Sequence, residues 1–127
     1  MTGLHIAAYF GIQGAIKVLL GMQHPDLMDS YGRTALFWAA GNGHEPVVQM
    51  LLDKEGIDFN YKDTNGQTIL SQAAENGHEV VVQMLLDKEG IDFNSKDTNG
   101  QTALSWAAEW GNEAVVHMLL DKEGVDG

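Results

Sequence analysis

The sequence predicts an all-α repeat fold, a solenoid of stacked helix-turn-helix units joined by β-hairpin-like loops. Two observations carry this. The first is a period: Gly32, Gly66 and Gly100 stand 34 residues apart, as do Thr34, Thr68 and Thr102, Ala40, Ala74 and Ala108, and Leu52, Leu86 and Leu120. Self-similarity at a fixed spacing of about 20 to 50 residues marks an array of identical supersecondary units. The second is that each period holds two short apolar stripes at helical spacing. The run Gln49 to Asn60 recurs unchanged from Gln83 to Asn94. An earlier copy is offset by 32, with Thr2, Leu4, Ala8, Gly11 and Leu20 matching Thr34, Leu36, Ala40, Gly43 and Leu52. Four copies follow, about 1–31, 32–65, 66–99 and 100–127, within one domain.

Within a copy, Thr34 opens a first helix whose Leu36, Ala39 and Ala40 fall at i, i+3 and i+4. Its hydroxyl can satisfy a free N–H of the first turn. Asn42-Gly43 then stops the helix with residues that tolerate a left-handed backbone. A second helix is expected from about Glu45, where Pro46 is acceptable because a first-turn N–H has no helical partner. Its stripe is Val47, Val48, Leu51 and Leu52, and Gly56 and Gly90 are expected to end the second helices of their copies. Ile57 to Gly66 reads as an extended loop closed by the turn Asp63-Thr64-Asn65-Gly66. One unit of this size cannot bury enough surface to offset its conformational entropy, so neighbouring copies must cover its apolar stripes. Paired alanines keep one helix row thin, and valine and leucine fill the layer between copies.

The 127 residues carry 7 Lys+Arg against 18 Asp+Glu, a net charge of −11, and no cysteine. At 44% hydrophobic and 20% charged the composition is that of a folded chain. So acidic a chain repels phosphate backbones and anionic lipid, which excludes nucleic acid and membrane surfaces as expected partners. Without cysteine there is no disulfide framework and no thiolate chemistry. A reducing intracellular setting, the cytoplasm, fits best.

The matches Asp63-x-x-Gly66-x-Thr68-x-Leu70-x-x-Ala73-Ala74-x-x-Gly77-His78, then Val81-Val82 and Leu85-Leu86, resemble the ankyrin repeat, and the copies beginning at Asp29 and Asp97 read likewise. The resemblance covers essentially the whole chain. Two departures stand out. The proline of the family's T-P-L-H box is replaced by Gly3, Ala35, Ile69 and Ala103, and its histidine survives only as His5, giving way to Phe37, Ser71 and Ser105. One extra residue before Gly56 and Gly90 makes the period 34. The residues Trp106 to Glu109 and Leu119 to Gly124 are similar to the long ankyrin arrays of large fungal proteins.

What the resemblance implies is a non-catalytic protein–protein interaction module. Its partner, of unknown identity, would lie on the concave face made by first helices and hairpin tips. Tyr9, Phe10 and Trp110 follow the Ala-Ala pair, where the family exposes side chains, and large aromatics there suit a binding surface. With them the expected protein-binding set is Met28, Ser30, Tyr31, Arg33, Asn42, Lys62, Asn65, Gln67, Glu75, Asn76, Lys96, Asn99, Gln101 and Glu109. The charges at these positions, Arg33, Lys62 and Lys96 against Glu75 and Glu109, are nearly balanced, so net charge does not by itself predict a basic partner. Asp53, Glu55, Asp87, Glu89, Asp121 and Glu123 crowd the ends of the second helices, where solubility is their expected use. Trp38 and Trp106, in the place held by Ile6, read as core packing.

Other chemistries fit poorly. His44 and His78 occupy one repeated position, and no histidine pair has the i, i+4 spacing of a zinc helix, so no metal or cofactor is expected. His24 and His117 are isolated. A calcium-loop template with Gly66 at its sixth position would put Tyr61 first and Gln72 last, where aspartate and glutamate are required. The serines Ser30, Ser71, Ser95 and Ser105 lie in no strained elbow, and two of them are repeat equivalents, so no enzyme is expected. Both ends read as cut from a longer array: Leu4, Ile6, Ile16, Leu19 and Leu20 at one and Val115, Val116, Leu119 and Leu120 at the other are expected to face outward. End-to-end self-association is the corresponding expectation. A structural spacer or self-assembly scaffold is the second functional reading, because Lys62 to Thr68 repeats unchanged as Lys96 to Thr102.

Overall fold

The computed structural model describes residues 3–21, 28–54 and 57–122. Among these, the helices are α1 (Gly3–Phe10), α2 (Gln13–Leu20), α3 (Ala35–Gly41), α4 (Glu45–Leu52), α5 (Ile69–Glu75), α6 (Glu79–Leu86), α7 (Ala103–Glu109) and α8 (Glu113–Lys122). They form four pairs. The first helices pack in one row, α1 on α3 on α5 on α7, and the second helices in another, α2 on α4 on α6 on α8. The all-α repeat solenoid is therefore the observed architecture. Among the described residues no helix is long and apolar enough to cross a membrane.

Local chemistry starts the first helices as the sequence predicts. Thr34, Thr68 and Thr102 hold extended backbone, and their hydroxyl oxygens accept the N–H of Phe37, Ser71 and Ser105. In the last copy the arrangement is reciprocal, since Ser105 Oγ accepts the Thr102 N–H at 2.6 Å. A small hydroxyl residue in place of the family's histidine thus closes a capping box here. At the other end of α3 only Gly43 is left-handed, at φ 72°, whereas Asn42 caps the helix at φ −102°.

The second helices end earlier than expected. Rather than running to glycine, α4 and α6 stop at Leu52 and Leu86, where the N–H of Asp53 and Asp87 closes the last turn onto Gln49 and Gln83. Gly90 lies in the loop beyond, and Gly56 lies outside the described residues. A stacking contact favours the early stop: Lys88 Nζ donates to the Leu52 carbonyl at 3.2 Å, bringing a cation from the next repeat to a helix C-terminus.

The core is one continuous strip. Val47, Val48, Leu51 and Leu52 of α4 and Val81, Val82, Leu85 and Leu86 of α6 are buried, as are Leu36, Ile69, Leu70 and the alanines Ala39, Ala40, Ala73 and Ala74. Each buried valine or leucine is worth about 1.5–3 kcal/mol relative to exposure, and that burial is shared between the first helix of the same pair and the helices of the adjacent copies. Ile16, Val115 and Leu119, expected to face outward, instead point into the stack and are buried. The row geometry explains this: one face of a terminal helix still meets its single neighbour. Among the described residues, Ile6, Ile12 and Val18 are the large aliphatic side chains exposed in the first pair. The side chains of Leu4 and Leu19 lie outside the described residues, as do His24, Glu55 and Glu123.

Backbone bonds also join the loops. Asp63 and Gly66 close the turn, with the Gly66 N–H on the Asp63 carbonyl at 3.0 Å, and Lys62 bridges Thr68 across it in antiparallel sense. Successive tips are linked by Thr64 N–H to the Tyr31 carbonyl and Thr98 N–H to the Asn65 carbonyl, each at 3.0 Å.

Candidate functional site

The helix register sorts the row of first helices, the inner row, into columns of equivalent positions. One column is Ile6, Trp38, Gln72 and Trp106; the next is Tyr9, Gly41, Glu75 and Glu109; the third is Phe10, Asn42, Asn76 and Trp110. Each column takes one residue from α1, α3, α5 and α7 or from the residue just beyond each helix.

A repeated aspartate fixes how the hairpin tips meet this row. Asp63 Oδ1 accepts the backbone N–H of Asn65 and Gln67, and Asp97 Oδ1 those of Asn99 and Gln101. In the first tip Asp29 Oδ1 accepts Tyr31 and Arg33. The second oxygen is what differs. Trp38 Nε1 donates to Asp29 at 2.8 Å and Trp106 Nε1 to Asp97 at 2.9 Å. Where the equivalent residue is Gln72, Asp63 takes Arg33 Nε from the preceding hairpin tip instead, at 3.2 Å. Trp38 and Trp106 are thus half-buried staples between helix and tip. Trp38 packs against the core as expected, and each indole N–H, which needs an acceptor when its ring is buried, finds one in the loop. Burial raises the Asp29 and Asp97 carboxyls, but the N–H donors around them more than offset this and hold both below their ordinary value.

A second ladder crosses the joints on the other side of the inner row. His44 Nε2 donates to the Tyr9 carbonyl at 2.6 Å and His78 Nε2 to the Gly41 carbonyl at 3.0 Å. In the last copy Asn112 replaces histidine, and its amide donates to the Ala74 and Glu75 carbonyls. Each ring lies flat over a glycine: a Cβ on Gly43 would come within 2.7 Å of His78 Nδ1. These histidines are structural cross-ties, and among the described residues no group of three or more His, Asp or Glu could hold a metal ion.

The remaining expected residues are placed as follows. Phe10, Tyr31 and Trp110 are 64%, 60% and 62% exposed, and Tyr9 and Met28 are also exposed. Tyr9 sets its ring edge-on to Phe10 and to Trp38, at centroid distances of 5.0 and 5.4 Å. With Ile6 these rings line a shallow apolar pocket of about 230 Å³. Trp110 lies at the far end of the same column, beyond Asn42 and Asn76, so it is not brought to the Tyr9–Phe10 cluster. Ser30, Asn42, Lys62, Asn65, Asn76, Lys96, Asn99 and Glu109 are exposed, and Arg33, Gln67, Glu75 and Gln101 are half-buried. The Asn42 amide donates to the Trp38 carbonyl and that of Asn76 to the Gly41 carbonyl, so both amides already hold helix ends. The Tyr61 hydroxyl donates to the Met28 sulfur.

Arg33 departs from the expected balance of charge. Its guanidinium stands 5.1 Å from the Phe37 and Trp38 ring centres and 5.5 Å from that of Tyr31, besides its ion pair with Asp63. Its charge is therefore matched within the molecule. Glu75 is the opposite case: burial, then the nearby charges of Asp97 and Glu109, push its carboxyl up, with a hydrogen bond from Gln67 opposing. Ile6 and Trp38 are the site residues that sequence reasoning assigned elsewhere; their shared column was the available signal.

A three-copy family model of ankyrin repeats matches residues 1–63 and again 55–127. The chain belongs to the ankyrin repeat family. No curated protein matches it. Ankyrin repeats are generally protein–protein interaction modules and typically non-enzymatic. Against that background, the ankyrin first-helix row described above carries edge-on rings at its first repeats and two glutamates, Glu75 and Glu109, at successive positions of the Tyr9 column.

Proposed function

We propose that the chain is a non-catalytic module that binds a partner protein along its inner row of first helices and hairpin tips. The observation that supports this best is the exposure of Phe10, Tyr31 and Trp110 on that row, since large aromatics left mostly in water add little to the stack and are the residue types that dominate contact energy. The surrounding contacts would be Tyr9, Met28, Ser30, Arg33, Asn42, Lys62, Asn65, Gln67, Glu75, Asn76, Lys96, Asn99, Gln101 and Glu109. Exposed Trp110 and Tyr31 provide the test. Replacing both by alanine should weaken binding of a captured partner at least tenfold while the circular dichroism stays unchanged; unaltered affinity removes both from the site.

A second reading, a structural spacer or self-assembly scaffold, is favoured by the identical tips Lys62–Thr68 and Lys96–Thr102 and by the exposed Ile6, Ile12 and Val18. Sedimentation of the isolated chain separates the two. A concentration-dependent rise in mass that Ile12→Ser with Val18→Ser abolishes supports assembly, whereas a monomer at all concentrations supports recognition of a foreign protein.

A further inference from the structure

The inner row is chemically polarised from one end to the other. At its first repeat the pocket of Ile6, Tyr9, Phe10 and Trp38 is open and apolar. At the next position of the Tyr9 column stands Gly41, which offers no side chain, and the column then continues as Glu75 and Glu109. We propose that this face takes an extended segment of a partner protein that places a large apolar side chain in that pocket and, about six residues away, a lysine or arginine between Glu75 and Glu109. The proposal rests on the reading of the chain as a protein-binding module and specifies the chemistry of its partner.

Charge complementarity selects this occupant. Arg33, the cation nearest the pocket, is already matched by Asp63 and enclosed by rings, so it does not balance the glutamates. Glu75 is acted on by two further carboxylates, Asp97 and Glu109, and a partner cation would relieve that crowding. A second copy of this chain would bring 18 acidic residues against 7 basic ones and meet repulsion. The spacing follows from the stack. Neighbouring helices lie roughly 10 Å apart, so the two steps from the Tyr9 level to the Glu75 level span roughly 20 Å, about six residues of extended chain. Gly41 adds no side chain to that path. The Gln72 side chain packs over it, its Cγ 3.0 Å from where a Cβ on Gly41 would stand, so the segment would pass over the shallow depression that Tyr9, Gly41, Gln72 and Asn76 line.

The test is selection of a random peptide display library on the whole chain, followed by fluorescence anisotropy of the selected peptides. The expected binders pair a large apolar residue with Lys or Arg about six positions away. Their affinity should fall about tenfold with Phe10→Ser and about tenfold with Glu75→Gln plus Glu109→Gln, the second loss shrinking at high salt. Replacing the peptide's Lys or Arg by Glu should give the same loss without touching the fold. Binders that need Phe10 but show no basic residue and ignore the glutamate variants overturn the proposal and leave the module reading intact. Binders indifferent to Phe10, Glu75, Glu109 and Trp110 overturn both. A selection that yields no binder overturns the linear segment and leaves the module reading to the Tyr31 and Trp110 variant.

Discussion

Arg33 Nε donates to Asp63 Oδ2 at 3.2 Å between two successive hairpin tips, and the carboxylate it meets is fully buried. Without the arginine that oxygen loses its donor, while Oδ1 keeps the N–H of Asn65 and Gln67. Arg33→Ala should lower the unfolding free energy by about 1–3 kcal/mol, the range for leaving a buried acceptor unsatisfied. Arg33→Lys should recover only part of it, because an ammonium cannot stack among three rings as a guanidinium does. Denaturant midpoints decide this, and a wild-type midpoint for Arg33→Ala would mean the pair holds nothing together.

Acid should loosen the hairpin tips before the helices. Asp29 and Asp97 titrate below their ordinary 3.8 in the folded chain, so each adds stability above that value and loses it as pH falls through the depressed folded value. Glu75 works in the reverse sense: its raised carboxyl removes stability as pH climbs from its ordinary 4.5 through the folded value. Glu75→Gln should therefore raise the midpoint near neutral pH and leave it unchanged well below pH 4. A midpoint gain that persists in acid would contradict the electrostatic cause.

Glycine substitutions should separate backbone strain from stacking. Gly43 and Gly111 have nearly the same left-handed backbone, φ 72° and 70°. A Cβ on Gly43 would strike the His78 ring, whereas one on Gly111 meets nothing within 4 Å. Gly111→Ala should cost about 1–2 kcal/mol for the conformation alone, and Gly43→Ala measurably more because the cross-tie is displaced. His78→Asn should be nearly neutral, since Asn112 makes the same reach, and His78→Ala should cost about 1 kcal/mol. Equal losses for the two glycines would show that the imidazole yields freely.

The period, the threonine caps, the Val-Val and Leu-Leu layer and the two helix rows were legible in the residues themselves. Each depends on spacings of a few residues, within one turn or one repeat, and identical copies state the same information several times. Other features were not legible because they join residues about one full repeat length apart. His44 to Tyr9, Asn76 to Gly41 and Arg33 to Asp63 span 35, 35 and 30 residues. The tryptophan staples left a trace, Asp29 with Trp38 and Asp97 with Trp106, each nine apart, absent where Gln72 stands. That trace reads equally well as core packing until the loop is folded back. The amino-acid order alone thus determined what repeats and which faces are apolar, because helix periodicity is a local property. The tertiary structure alone decided which polar groups are consumed in holding the stack and which remain for a partner, because a buried donor finds its acceptor only after neighbouring copies have docked.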